Sequence, residues 1–342
     1  MHAGLRLAQL LGYVFEDEYD GDASNGHRYF LPDETLQYSE AVRLGIHSEQ
    51  DLFGGVTPHL YVATKAITHG AVSSDARVPE AWTHAISPKM DGLVLYGFTA
   101  FDRQDARIAG RRVLERGPAR LKRVTGMGGA GQYLASDFEA FDAALALIDE
   151  QELVSHGVVI EQHLEDATTH TVGQLSVGGR RIAYFGIQRT VRNHHGHEVY
   201  GGSDLVVIRG GPESLARCEL SDAMREVLDK AWRYDAVVSK AFPHFFASRR
   251  NYDVISGQDE IGRTHVGVLE QSWRFGGASA AEIAALHAFE ADAELEFVRA
   301  STHEVYADAM VPPNAVVAYR GVDPQAGLIT KYCTIENYGY PG

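Results

Sequence analysis

Apolar positions along this chain recur at two different periods, and the switches between them mark out its elements. The pattern is sharpest from residue 92 on. "GLVLYGF" reads as a strand, "DRQDARIAGRRVLER" as a helix stopped by Gly117 and Pro118, "ARLKRV" as a second strand and "QYLA" as a short return strand. Ser136 opens an S-x-x-E capping box with Glu139, which predicts a helix over "DFEAFDAALALIDE", and "GVVIEQHL" follows as a strand. "TVGQLSV", Gly178, Gly179 and "RRIAYFGIQ" form a hairpin signal, and "RTVRNHHGHEVYGGSD" reads as a loop leading into "LVVIRGG". The helices expected over "SDAMREVLDKAWRYDAVVSKAF" and "SAAEIAALHAFEADAELEFVRAS" bracket a second hairpin, "NYDVIS" to "THVGVLEQSWRF", and "NAVVAYRG" with "LITKYCTI" makes a last strand pair. Nearer the start, "RYFLPDETLQYSEAVRLG" predicts a short strand at 29–31, then a helix opened by Pro32, Asp33 and Glu34 and closed by Gly45. Strands and helices are interspersed throughout, which predicts a mixed α+β fold of several lobes.

Composition narrows the classes. A chain of 342 residues has room for a cleft between lobes, and its formal charge of −15 argues against a sequence-independent hold on nucleic acid. Cys218 and Cys333 stand far apart with no C-x-x-C, so neither a disulfide framework nor a zinc site is expected, and a reducing cytoplasm fits. No apolar run approaches the ~20 residues of a membrane helix.

The stretch "LKRVTGMGGAGQYLASDFEAF" puts four glycines within six residues behind Lys122 and Arg123. Gly126, Gly128 and Gly131 satisfy G-x-G-x-x-G, but a dinucleotide site needs the helix to open on the glycines, and the capping box starts it too late. A Walker loop fails because Gln132 stands where its lysine belongs. What remains is a strand, a glycine hairpin and a strand, whose backbone at Gly128, Gly129, Gly131 and Gln132 can close over phosphates while Lys122 supplies charge.

The succession strand, helix, Gly-Pro, strand with Lys122, glycine loop, short strand, helix, strand with Glu161 resembles the nucleotide-clamping half of an ATP-grasp protein. Further on, "VLEQSWRFGG" resembles the E-x-N-x-R that ends the metal-binding strand of that superfamily. The wording "YFLPDETL", "DLFGG", "VATKAITH", "GFTAF", "VYGGSDL" and "LEQSWR" resembles an uncharacterised ATP-grasp-type family known only as a domain of unknown function. The resemblance implies an N-terminal pre-grasp-like segment over 1–98, a nucleotide-clamping lid over 99–165, a core lobe with the metal site over 166–311 and a C-terminal strand pair over 312–342. It implies that Lys122 and Lys65 touch ATP phosphates, and that Glu161 with the neighbouring backbone at His163 and Leu164 receives the adenine amino group. Glu165, Asp166 and His170 compete for the ribose, with Glu165 preferred.

In the second hairpin, alternation puts Glu270, Ser272 and Arg274 on one face and Leu269, Gln271 and Trp273 on the other. A turn centred near Glu260 or Ile261 lets Asp253 face the same side, and a one-residue slip reverses it. Asp253 and Glu270 are then hard oxygen ligands suited to Mg²⁺, with Ser272 at the position of the usual asparagine, and Arg274 is placed to grip the γ-phosphate. His194, His195 and His197 lack an identifiable fourth ligand and read first as a plain connecting loop, with a flexible loop over the active site that reaches substrate through Arg189 or Arg192 as the alternative.

The expected function is an ATP-dependent ligase joining a carboxylate, on a small molecule or a peptide, to an amine or other nucleophile through an acylphosphate. The alternatives are a phosphotransferase on the same scaffold and a non-catalytic nucleotide-binding module, for which Ser272 is the hint. No nucleic-acid or membrane partner is expected, and a homodimer is left open.

Overall fold

The computed structural model describes residues 2–19, 21, 26–126, 131–323 and 326–337. Among them, three sheets organise the chain. The smallest joins β1 (Leu36–Gln37) in parallel to β2 (Gly55–Thr57), beside helix α2 (Tyr38–Arg43); helices α1 (His2–Leu11) and α3 (Ser87–Met90) precede and follow this segment in the chain. The helix expected from Pro32 starts only at Tyr38, because Leu36 and Gln37 are drawn into pairing with Val56 and Thr57. The strand expected at 29–31 reduces to a single bridge between Phe30 and Leu52.

The second sheet is antiparallel and four-stranded: β3 (Gly97–Ala100), β4 (Ala119–Arg123), β5 (Gln132–Ala135) and β6 (Val158–Gln162), in the order β3-β6-β4-β5. Helices α4 (Arg103–Leu114) and α5 (Phe138–Ala146) cover one face, and α6 (Glu150–His156) precedes β6. Ala100, Ala119, Leu121, Val158 and Ile160 turn toward α4 and α5 and form a core with Val113, Phe141 and Leu145. The pleat therefore sends Arg120, Lys122, Gln132 and Glu161 to the opposite face, toward the rest of the molecule. The cap of α5 is Asp137, not Ser136: its carboxylate accepts from the Ala140 amide at 2.8 Å, which moves the helix start on by one residue.

The third sheet carries eight antiparallel strands. They are β7 (Glu165–Val177), β8 (Arg180–Arg192), β9 (Glu198–Arg209), β11 (Arg249–Gln258), β12 (Thr264–Ser272), β13 (Phe297–Val305), β14 (Val316–Asp323) and β15 (Gly327–Asn337), while β10 (Phe246–Ala247) belongs to the small sheet. Their order is β12-β11-β7-β8-β9-β13-β15-β14, so the C-terminal strand pair extends this same sheet. Helix α7 (Asp222–Ala241) packs on one face with Val172, Tyr252, Val254 and Val268; α8 (Ser279–Ala291) packs on the other with Tyr184, Leu205 and Val207. Two expectations are corrected here. The presumed loop from Arg189 is mostly a continuation of the β8–β9 hairpin, leaving only residues 193–197 as its turn. Helix α8 ends at Ala291 because the period-2 pattern of Val298, Arg299 and Ala300, buried, exposed, buried, is drawn between β9 and β15.

Beneath the Asp253 face, Arg249 and Glu282 are 1% and 0% exposed and meet at 2.7 Å, and the Tyr184 hydroxyl also donates to Glu282 at 2.6 Å. Glu282→Gln leaves the guanidinium without its counter-charge. It is expected to destabilise the protein by about 3–5 kcal/mol in urea unfolding, and a loss under about 1 kcal/mol would contradict this account.

Candidate active site

Between the four-stranded and eight-stranded sheets lies a wedge of two short 3₁₀ turns, Leu60–Ala63 and Lys65–Thr68. The Gln271 amide donates to the Val62 and Thr64 carbonyls at 3.0 and 2.6 Å, and the Thr68 hydroxyl donates to the Leu269 carbonyl at 3.1 Å. On the other side the Thr99 hydroxyl donates to the Ala66 carbonyl at 2.8 Å. The wedge is thus tied to both sheets, and it plants Lys65 in the cleft. The Lys65 ammonium, 5% exposed as a residue, sits 3.0 Å from a Glu270 carboxylate oxygen and donates to the Gly126 carbonyl at 2.9 Å.

Lys122 reaches the same cleft from β4. Its ammonium lies 2.6 Å from Glu161 Oε1, while His69 Nε2 lies 3.0 Å from Glu161 Oε2. All three side chains are buried. Burial alone would raise the Glu161 carboxyl, yet Lys122 and then His69 outweigh it and hold the group down to about 2. The carboxylate expected to face adenine is therefore engaged at both oxygens by protein cations and donors.

The opposite wall is the hairpin of β11 and β12, whose turn is centred on Ile261, with Gln258 opposite Thr264. In an unbroken register Asp253 would then face Leu269 and Glu270 would lie on the other side of the sheet. A β-bulge at Leu269 inserts one residue into β12, so that Asp253 pairs with Glu270 and Asn251 with Ser272. Burial, and then the charge of Glu270, push the Asp253 carboxyl up to about 6, while hydrogen bonds from Gln188 and Asn251 oppose the rise. Two carboxylates facing each other, one of them made harder to ionise by its neighbour, form a donor set whose repulsion a hard divalent cation relieves. Ser272 lies beside them, its hydroxyl within 3.4 Å of an Arg249 nitrogen. Arg274 sits just past the strand, its Nε 3.3 Å from Glu34 and its Nη1 donating to the Phe275 carbonyl at 3.0 Å.

At the hinge between β6 and β7, His163 accepts at Nδ1 from Arg120 at 3.1 Å, and burial followed by that charge lowers its pKa. Leu164 is buried and Glu165 is exposed, at the start of β7. Asp166 takes the left-handed φ of 46° that few non-glycine residues adopt, which gives the hinge a local strain. His170 pairs with Val254 and bonds Ser256, on the sheet face away from Asp253 and Glu270. Gln132 faces Lys122 across β4 and β5, with its carbonyl 3.3 Å from Arg120; Gly131 has φ +70° and accepts from the Arg123 amide. Gly128 and Gly129 lie outside the described residues. His194 accompanies the Leu328 carbonyl at 2.9 Å, and Arg189 pairs with Asp204.

Sequence reasoning missed His69, Asn251, Gln188 and the Arg249–Glu282 pair. Asn251 carried a usable signal, since it stands two residues before Asp253 and so on the same strand face. His69 carried none, because only the folding of the wedge against β6 brings it to Glu161.

Several solved structures are similar to this chain over part of its length. N5-carboxyaminoimidazole synthetase from Staphylococcus aureus complexed with ADP is 11% identical with a TM-score of 0.43, covering 72% of this chain and 64% of that one. D-cycloserine synthetase DcsG is 12% identical with a TM-score of 0.42, covering 85% and 94%. D-alanyl-alanine synthetase A from Vibrio cholerae O1 biovar eltor is 12% identical with a TM-score of 0.33, covering 55% and 53%. The chain thus spans less than two thirds of the first and the last of these proteins, 64% and 53%. No curated protein matches the chain. A family model described as "Protein of unknown function (DUF3182)" matches residues 2–333, nearly the whole sequence, and the chain belongs to that family.

Proposed function

We propose that this protein is an ATP-dependent ligase of the ATP-grasp type, joining a carboxylate to an amine or another nucleophile through an acylphosphate and releasing ADP and phosphate. One observation carries the reading. Two buried lysines delivered by separate segments, Lys65 and Lys122, enter the same cleft as a pair of facing carboxylates, Asp253 and Glu270. Each ammonium is paired with a protein carboxylate, Lys65 with Glu270 and Lys122 with Glu161, and a triphosphate with its magnesium is a ligand that would engage both cations together with the facing carboxylates.

In this reading residues 99–165 act as the lid and 166–311 as the core lobe. Lys122 and Lys65 hold the phosphate chain from two sides, and the backbone of Gly128, Gly129 and Gly131, with Gln132, covers it. Glu165 is within the hinge segment that would meet the ribose, beside His163 and Leu164. Asp253 and Glu270, with Ser272 alongside, would hold Mg²⁺, which would supply charge that neutralises the phosphates. Arg274, released from Glu34, would face the oxygens of the transferring phosphoryl group. The residues thus position and neutralise, and no covalent enzyme intermediate is required.

The test uses the purified protein with MgATP and pools of carboxylic acids and amines. Phosphate release that depends on a carboxylate and rises on adding an amine supports ligation. Stoichiometric phosphorylation of an alcohol, with no free phosphate, would replace it by the phosphotransferase reading. ATP binding without consumption across all pools would leave a nucleotide-binding module.

A further inference from the structure

The buried line His69, Glu161, Lys122 is built more elaborately than a nucleotide site read from sequence requires. Its three residues come from the wedge, β6 and β4, and are 3%, 2% and 5% exposed. The His69 ring lies over β3, where a Cβ added to Gly97 would stand 2.9 Å from His69 Cε1, 2.8 Å from Glu161 Cβ and 2.7 Å from the Ile160 carbonyl. Glycine at 97 therefore leaves room for the imidazole to reach the carboxylate. With Oε2 taken by His69 and Oε1 by Lys122, Glu161 cannot turn toward a base without breaking one of two buried contacts.

We infer that His69 is a positioning residue: by holding Oε2 of Glu161 it fixes Oε1 where it aims the Lys122 ammonium at the nucleotide phosphates, and Glu161 serves that lysine rather than the adenine amino group. The inference rests on the nucleotide reading of the cleft. It divides the recognition of the nucleotide in two. The phosphates are read by a lysine braced from behind, and the base is read by groups other than the Glu161 carboxylate. Imidazole suits the brace because it donates one N–H to a carboxylate at low conformational cost, being rigid beyond two torsions.

The experiment measures ADP and IDP binding to the full-length protein by calorimetry; inosine lacks the 6-amino group, so the pair separates base reading from phosphate reading. His69→Ala is expected to weaken ADP about tenfold, the loss of one bond to a charged group, and His69→Gln, whose amide reaches nearly as far as Nε2, to recover to within about threefold. Lys122→Met is expected to cause a similar loss, and the His69→Ala/Lys122→Met double variant to be no weaker than Lys122→Met alone, because His69 acts through the lysine. Glu161→Gln is expected to weaken ADP and IDP by the same factor. Where the alanine variant does not fold, His69→Asn replaces it, keeping polarity while its amide stops short of Oε2. Unchanged ADP affinity in the His69 variants, additive losses in the double variant, or an ADP-to-IDP preference that collapses in Glu161→Gln would each overturn the inference while leaving the nucleotide site in place. Failure of the wild-type protein to bind ADP at all would remove both.

Discussion

Glu270→Gln is expected to lower magnesium-dependent ATP consumption by about 10²- to 10³-fold, the scale set by removal of one electrostatic contact at a phosphoryl centre, and at the same time to tighten magnesium-free ADP binding. The two effects have separate causes. Glutamine keeps the shape of the side chain but offers no anion to a hard cation, so the pair with Asp253 loses one of its two charges. The second effect follows from Lys65, whose ammonium is held 3.0 Å from Glu270. Without that counter-charge the ammonium is released to a phosphate at lower cost. The fold is expected to survive, because Glu270 is half-open to solvent, with 36% of its side chain exposed, and Lys65 keeps its bond to the Gly126 carbonyl. Phosphate release with MgATP and calorimetry with ADP in chelator read the two effects separately. Unaltered turnover would remove Glu270 from the metal site; lost turnover without tighter metal-free binding would show that its contact with Lys65 does not restrain the lysine.

What was legible in the chain was whatever short-range periodicity controls. The return strand Gln132–Ala135, the hairpin at Gly178 and Gly179 and the strand of Lys122 came directly from local pattern, and the observed pleat puts Lys122 and Glu161 on one face as the alternation requires. The Asp253–Glu270 pairing was the reverse case. With the turn centred on Ile261, simple counting puts the two carboxylates on opposite faces, and only the extra residue at Leu269 brings them together. A bulge is a tertiary decision: the Leu269 carbonyl is held by Thr68, a residue 201 positions earlier in the chain, and no local spacing records that bond. His69 and the buried Arg249–Glu282 pair were hidden for the same reason, since each acquires its meaning from a partner on another element. Helix α8 was drawn too long because "ELEFVRAS" has good helix formers, and pairing of Phe297–Val305 with two neighbouring strands outweighed that preference.

Turnover is expected to split ATP between the β- and γ-phosphates, giving ADP as the spent nucleotide, with phosphate appearing once both organic substrates are present. The argument is one of charge placement. Lys122 enters from the wall formed by β4 and β5 and Lys65 from the wedge between the sheets, whereas Asp253 and Glu270 stand on the facing hairpin, and the 3.0 Å contact of Lys65 with Glu270 joins the wedge to that hairpin. In the proposed reading, cations and carboxylates so gathered would stabilise charge where a terminal phosphoryl group leaves its bridge oxygen. An enzyme that adenylates its carboxylate needs that concentration at the α-phosphate instead. Lys122→Met removes one of the two cations while keeping the length of the side chain, and phosphate release is expected to fall by about 10²-fold or more, with the fold tested by thermal melting because Glu161 then loses its Lys122 partner and keeps His69. Chromatography of the nucleotide after turnover decides between γ-phosphoryl transfer and adenylation: ADP from the wild-type protein and its loss in Lys122→Met support transfer of the γ-phosphoryl group, and AMP with pyrophosphate as the main products would exclude an acylphosphate even with ATP binding intact.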